Sequence, residues 1–88
     1  MEIVKNASAG TMESSDVYVE IEPAKTLEVN LESVVQQQFG EEICKVVREV
    51  LQENGIDRAN VRVIDRGALE CVIRARVEAA ILRGKGEV

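Results

Sequence analysis

The chain has 88 residues, a formal net charge of −5 and no histidine, a size that supports one small domain over residues 1–88 and no cleft between two lobes. Phe39 and Tyr18 are the only aromatics, so bases find no stacking platform, and the negative charge opposes a phosphate backbone; both facts argue against nucleic-acid binding. No apolar run approaches the ~20 residues of a spanning helix, and residues 1–6 lack the apolar core of a signal peptide, which sets aside a membrane role and leads us to expect a cytoplasmic protein.

Charge is uneven along the chain. Residues 1–55 hold 4 basic and 11 acidic side chains, and residues 56–88 hold 7 and 5. Ordinary solvated surface accounts for this, and an acidic front with a mildly basic rear would also orient the domain on a partner. Cys44 and Cys71 are far apart and fall in expected helices, which suits small buried thiols in a reducing compartment. Two isolated cysteines without histidine do not make a zinc site, so no metal is expected.

From Val17 to Glu22 apolar and polar residues alternate, with Val17, Val19 and Ile21 on one face, as a half-buried strand requires. A second alternation puts Leu27, Val29 and Leu31 on one face. With Pro23-Ala24-Lys25 between them, the two strands are expected to pair as an antiparallel hairpin over residues 16–32. Ser33-Val34-Val35-Gln36 has the form of a capping box, which starts the first helix near Ser33. Phe39, Ile43, Val46, Val47, Val50 and Leu51 recur at helical spacing until Asn54-Gly55 stops the helix. Gly40 costs about 1 kcal/mol relative to alanine and is a point where that helix can kink or break.

The β-branched run within residues 60–65 fits a third strand. Asp65-Arg66-Gly67 then turns the chain into a last helix over about residues 68–83. On that helix Glu70, Arg74 and Glu78 are four apart and can pair along an exposed line. Leu69, Val72, Ile73, Val77, Ala80 and Ile81 form an apolar stripe, which Ala68, Ala75, Ala79 and Leu82 widen; core packing explains it, and a subunit contact would also use the extra width. Residues 85–88 read as a frayed end. The expected fold is α+β, with about three strands packed against two helices, about 33–54 and 68–83.

The segment Ala9-Gly10-Thr11-Met12-Glu13-Ser14-Ser15-Asp16 precedes the first regular strand. Ser14 and Ser15 are therefore expected on an exposed, flexible loop at the sheet edge. A serine nucleophile is ordinarily activated by a neighbouring base, usually histidine. None exists here, and a carboxylate such as Glu13 or Asp16 near its ordinary pKa is a weak base for a hydroxyl. The hydroxyls suit covalent modification by another enzyme better than catalysis. Glu13 and Asp16 are expected to solvate the loop or contact that enzyme. Arg74 and Arg76 could meet a phosphate or an acidic partner, with ion pairing to Glu70 and Glu78 the more economical reading.

This serine segment resembles the attachment segment of the citrate lyase acyl carrier protein (gamma chain) family, in which an Ala-Gly-Thr-x-Glu-Ser-x-Asp stretch lies at the same distance from the N-terminus. Gln38-Phe39-Gly40 and the stretch from Asp65 to Ala79 resemble the same family. The resemblance implies a non-catalytic carrier subunit bearing a phosphoribosyl-dephospho-coenzyme A arm on a serine through a phosphodiester. Matching Gly-Thr-x-Glu-Ser implies attachment at Ser14, with Ser15 at the variable position after it. Implied partners are a citrate lyase alpha subunit that exchanges acyl groups, a beta subunit that cleaves the citryl thioester to oxaloacetate, and an arm-transferring enzyme. The Asp-Ser-Leu start of a helix, found in helical acyl carrier proteins with a phosphopantetheine arm, is absent. Three alternatives stay open: the carrier subunit of a malonate decarboxylase, an unmodified α+β interaction or assembly module, and a small RNA-binding domain resting only on size and the arginines after Arg58.

Overall fold

Strand alternation commits a residue to a face of the sheet but not to a neighbour, and the fold turns on that distinction. The computed structural model describes residues 2–86. Its elements in chain order are β1 (Ala7–Gly10), β2 (Val17–Glu22), β3 (Leu27–Ser33), α1 (Gln36–Glu53), β4 (Ala59–Asp65) and α2 (Glu70–Gly84). The α+β class is as expected, but the sheet has four strands in the order β1-β2-β4-β3. The added strand, β1, pairs antiparallel with β2 through Ala7–Ile21 and Ala9–Val19; four residues are too few for alternation to announce a strand.

The expected hairpin over residues 16–32 does not form. β4 lies between its two arms, antiparallel to β2 and parallel to β3. Burial matches this order: Val61 and Val63 of β4 and Val17 and Val19 of β2, the two central strands, are fully buried, whereas Leu27, Val29 and Leu31 of β3, at the edge, are only half-buried. Residues 23–26 need only cross two strand spacings, roughly 10 Å, which four extended residues can span. Val17, Val19 and Ile21 still face the core as alternation requires.

Both helices cover one face of the sheet, α2 over β1 and β2 and α1 beside β3. Ile43, Val46, Val47, Val50 and Leu51 of α1 meet Ile73, Val77, Ala80 and Ile81 of α2 in the core. The helix runs unbroken through Gly40. Asn54 caps its end and Gly55 takes φ +71°, the left-handed stop read from the sequence.

The start of α1 differs from the expected capping box. Ser33 belongs to β3, and its hydroxyl donates to Asp65 Oδ2 at 2.8 Å while accepting from the Val35 amide at 3.1 Å. Asp65 is buried, so satisfying it outweighs capping the helix. The last helix likewise begins two residues later than expected, at Glu70. Phe39 and Leu69, expected in the apolar stripes, are 47% and 72% exposed, because both lie at helix starts. Cys71 is exposed and Cys44 only half-buried, which corrects the expectation of two buried thiols. Glu87 and Val88 of the expected frayed end lie outside the described residues; Lys85 caps α2. No helix among the described residues is long and apolar enough to cross a membrane.

Candidate functional site

β3 and β4 end, and both helices begin, at one end of the molecule, and the loop of residues 11–16 between β1 and β2 lies there too. Gly10 lets the chain enter that loop. Its φ is +93°, and a Cβ there would lie 1.9 Å from the Val17 carbonyl oxygen, a position only glycine can occupy.

Asp16 organises the loop. The Thr11 hydroxyl donates to Asp16 Oδ2 at 2.6 Å and the Val17 amide to Oδ1 at 2.8 Å. From α2, Arg76 Nε reaches Oδ1 at 3.1 Å and Nη2 reaches Oδ2 at 2.9 Å. The Arg76 guanidinium, followed by the Thr11 hydroxyl and the Val17 amide, holds the Asp16 carboxyl well below the usual carboxylate range. A carboxylate so held, with both oxygens engaged, is no base for a neighbouring hydroxyl. Thr11 Oγ1 also accepts from the Glu13 amide, and the Asp16 amide donates to the Glu13 carbonyl.

The two serines occupy different backbone environments. Ser15 has φ +66°, a left-handed conformation costly for a side chain. Its amide donates to the Arg66 carbonyl at 2.8 Å, and the Arg66 amide returns to the Asp16 carbonyl at 2.9 Å. Ser14 stands before this tie. Both serines are exposed, and among the described residues neither hydroxyl has a hydrogen-bond partner.

Asp65 organises the turn beside the loop. Its Oδ1 accepts from the Ala68 amide at 2.9 Å, its Oδ2 from Ser33, and its carbonyl from the Val34 amide at 3.3 Å. The sequence read Asp65-Arg66-Gly67 as a turn without anticipating that Asp65 is buried. An aspartate three residues before the amide it accepts is a recognisable side-chain turn. The Asp16–Arg76 tie has no such local signal.

Arg74 departs from the expected line with Glu70 and Glu78. It donates to both carboxylate oxygens of Glu53 at 2.7 and 2.9 Å and lies 3.5 Å from Glu49, joining α2 to α1. Neither Arg74 nor Arg76 is a free cation awaiting a phosphate. Between the starts of α1 and α2 lies an apolar groove of about 350 Å³ that includes Val35, Phe39, Ile43, Leu69 and Ile73. Among the described residues no cluster of three metal-ligating side chains occurs.

A family model described as malonate decarboxylase delta subunit (MdcD), an acyl carrier protein, matches residues 4–84. The chain is 55% identical over 85 residues to the citrate lyase acyl carrier protein of Escherichia fergusonii, covering 94% of this chain and 88% of that protein. It is 52% identical over 85 residues to the protein of that name from Clostridium perfringens, covering 94% and 84%. With the Haemophilus influenzae (strain PittGG) protein it shares 51% over 88 residues, covering 100% and 93%. Among solved structures, a chain from the crystal structure of a Pseudomonas malonate decarboxylase hetero-tetramer in complex with malonate superposes with a TM-score of 0.78. At 20% identity, covering 90% of this chain and 82% of that one, it shares the fold.

Proposed function

Because the chain belongs to the citrate lyase acyl carrier protein family, we propose that it is the carrier subunit of a citrate lyase, bearing its prosthetic group on Ser14. Acyl carrier proteins carry a prosthetic group; here the group proposed is phosphoribosyl-dephospho-coenzyme A, joined through a phosphodiester to Ser14 Oγ. When bound it would supply a terminal thiol that holds an acyl group as a thioester. The observation that carries the reading is the Ser14 hydroxyl itself, exposed on a tied loop with no base to make it a catalyst. A phosphodiester requires an accessible hydroxyl and nothing further from this chain, since the transferring enzyme supplies the chemistry.

The chain's own work is presentation. Asp16, Thr11 and Arg76 hold the base of the loop, and tethering replaces diffusion by a high effective concentration at each active site within reach. The proposed partners are alpha and beta subunits that exchange and cleave the citryl group, together with the arm-transferring enzyme. This chain makes and breaks no bond in the cycle and works in the cytoplasm as the single acyl carrier domain of residues 1–88.

A malonate decarboxylase carrier is the second reading, favoured by the description of the family model and by the fold neighbour. Identities of 51–55% to citrate lyase carriers weigh more. Reconstitution decides between them. Arm-bearing chain mixed with citrate lyase alpha and beta subunits is expected to release oxaloacetate from citrate; failure there, with support of malonate decarboxylation by the corresponding subunits, would reverse the order.

A further inference from the structure

Four of the five large apolar side chains exposed among the described residues, Met12, Val34, Phe39 and Leu69, lie at the end that carries the serine loop; the fifth, Val4, is elsewhere. Phe39 and Leu69 belong to the groove between the helix starts. Both helices begin there without a side-chain cap, with Val35 and Leu69 at the capping positions. Serine, threonine, aspartate or asparagine at those positions would stabilise each helix. Apolar residues instead line a surface, and a local rule set aside twice at one site points to function.

Charge narrows the occupant. Glu42 and Glu70 line the groove with buried Asp65, and no lysine or arginine does. At about 350 Å³ the groove is at the small end of ligand sites, a size for a few side chains. It shares the turn at Asp65 to Gly67 with the serine loop, whose Ser15 amide bonds to Arg66. An occupant of the groove therefore sits beside whatever is attached to the serine.

We propose that the groove between the starts of α1 and α2 is a docking surface for a partner protein that presents an apolar helix face flanked by lysine or arginine. Resting on the carrier reading, the partner is the subunit that exchanges acyl groups on the arm, the alpha chain. Apolar side chains entering between Phe39 and Leu69 would supply the buried contact, and basic flanks would meet Glu42 and Glu70 at the rim.

The test is titration of purified alpha subunit into arm-bearing chain by calorimetry. Leu69→Ser and Phe39→Ser are each expected to weaken binding about tenfold. Glu70→Lys should weaken it and reduce its salt dependence. All three side chains are exposed, so each variant should still unfold cooperatively. Leu69→Ser should melt at or above the parent's melting temperature because it supplies the missing cap of α2, and Glu70→Lys slightly below it because it places a cation in the first turn. Val4→Ser should bind as the parent does. The proposal is overturned by a parent that does not bind, by both serine variants binding within about twofold of it, or by Val4→Ser weakening as much as they do. Self-association of this chain that Leu69→Ser dissolves would overturn it in favour of a second copy. Arm on Ser14 with unchanged affinity in the groove variants ends this inference alone; lost affinity in those variants with no arm in the native complex ends the carrier reading alone.

Discussion

Arg76 grips both carboxylate oxygens of Asp16, through Nε at 3.1 Å and Nη2 at 2.9 Å, and so fastens the serine loop to a helix 60 positions away in sequence. The fork-to-fork geometry is the stronger form of a charged hydrogen bond. It joins the loop to the body of the protein, so under the carrier reading the travel would fall to the proposed arm.

Arg76→Ala is expected to cost about 1–2 kcal/mol in urea unfolding, the lower part of the range for hydrogen bonds to charged groups because the Arg76 side chain is 40% exposed. Arg76→Lys should recover only part of this, since an ammonium cannot bond both oxygens in the same plane.

Acid should expose the same tie. Asp16 is held below its unfolded value of about 3.9, so its contribution is fully present above that pH and is lost as pH falls from about 4 toward its folded value. Asp16→Asn should lower stability at neutral pH. The difference between parent and variant should shrink as unfolding is measured from about pH 5 down to pH 2, and a constant difference would contradict the account.

Asp65 serves three segments at once. Asp65→Ala would leave the Ser33 hydroxyl and the Ala68 amide without their acceptor, and we expect a loss of about 2–4 kcal/mol in chemical denaturation. Ser33→Ala removes one of those bonds and should cost about 1 kcal/mol.

Backbone conformation separates Gly10 from Ser15. Gly10→Ala would drive a Cβ into the Val17 carbonyl and should destabilise the fold by at least about 2 kcal/mol. Ser15→Gly relieves a left-handed residue and should raise the melting temperature, with stability increasing by up to about 1 kcal/mol. Retention of the arm in Ser15→Gly would also fit attachment at Ser14.

What could be read in the sequence was what short-range pattern encodes. Alternation gave the inward faces of β2 and β3, helical spacing gave the buried side of α1 from Ile43 to Leu51, and Asn54-Gly55 marked its end. Which strands pair is a long-range choice: the Val17 and Leu27 runs read as neighbours, yet β4 lies between them and pairs with both. Ser33 misled for a related reason, since a capping-box pattern cannot show that a buried aspartate 32 residues away competes for the hydroxyl. Phe39 and Leu69 fit a helical stripe, yet a stripe does not tell where a helix outruns the core. In the site, the serine segment was legible by resemblance, whereas the Asp16–Arg76 tie that shapes it required the fold.

The central claim is a covalent arm on Ser14, and intact mass followed by peptide mapping of residues 9–16 tests it most directly, on chain purified from its native complex or co-expressed with arm-synthesising enzymes. The account predicts a nucleotide-sized addition carried by Ser14 and absent from Ser14→Ala. Addition at Ser15 would contradict the assigned site, and an unmodified chain within an otherwise active native complex would contradict the carrier function itself.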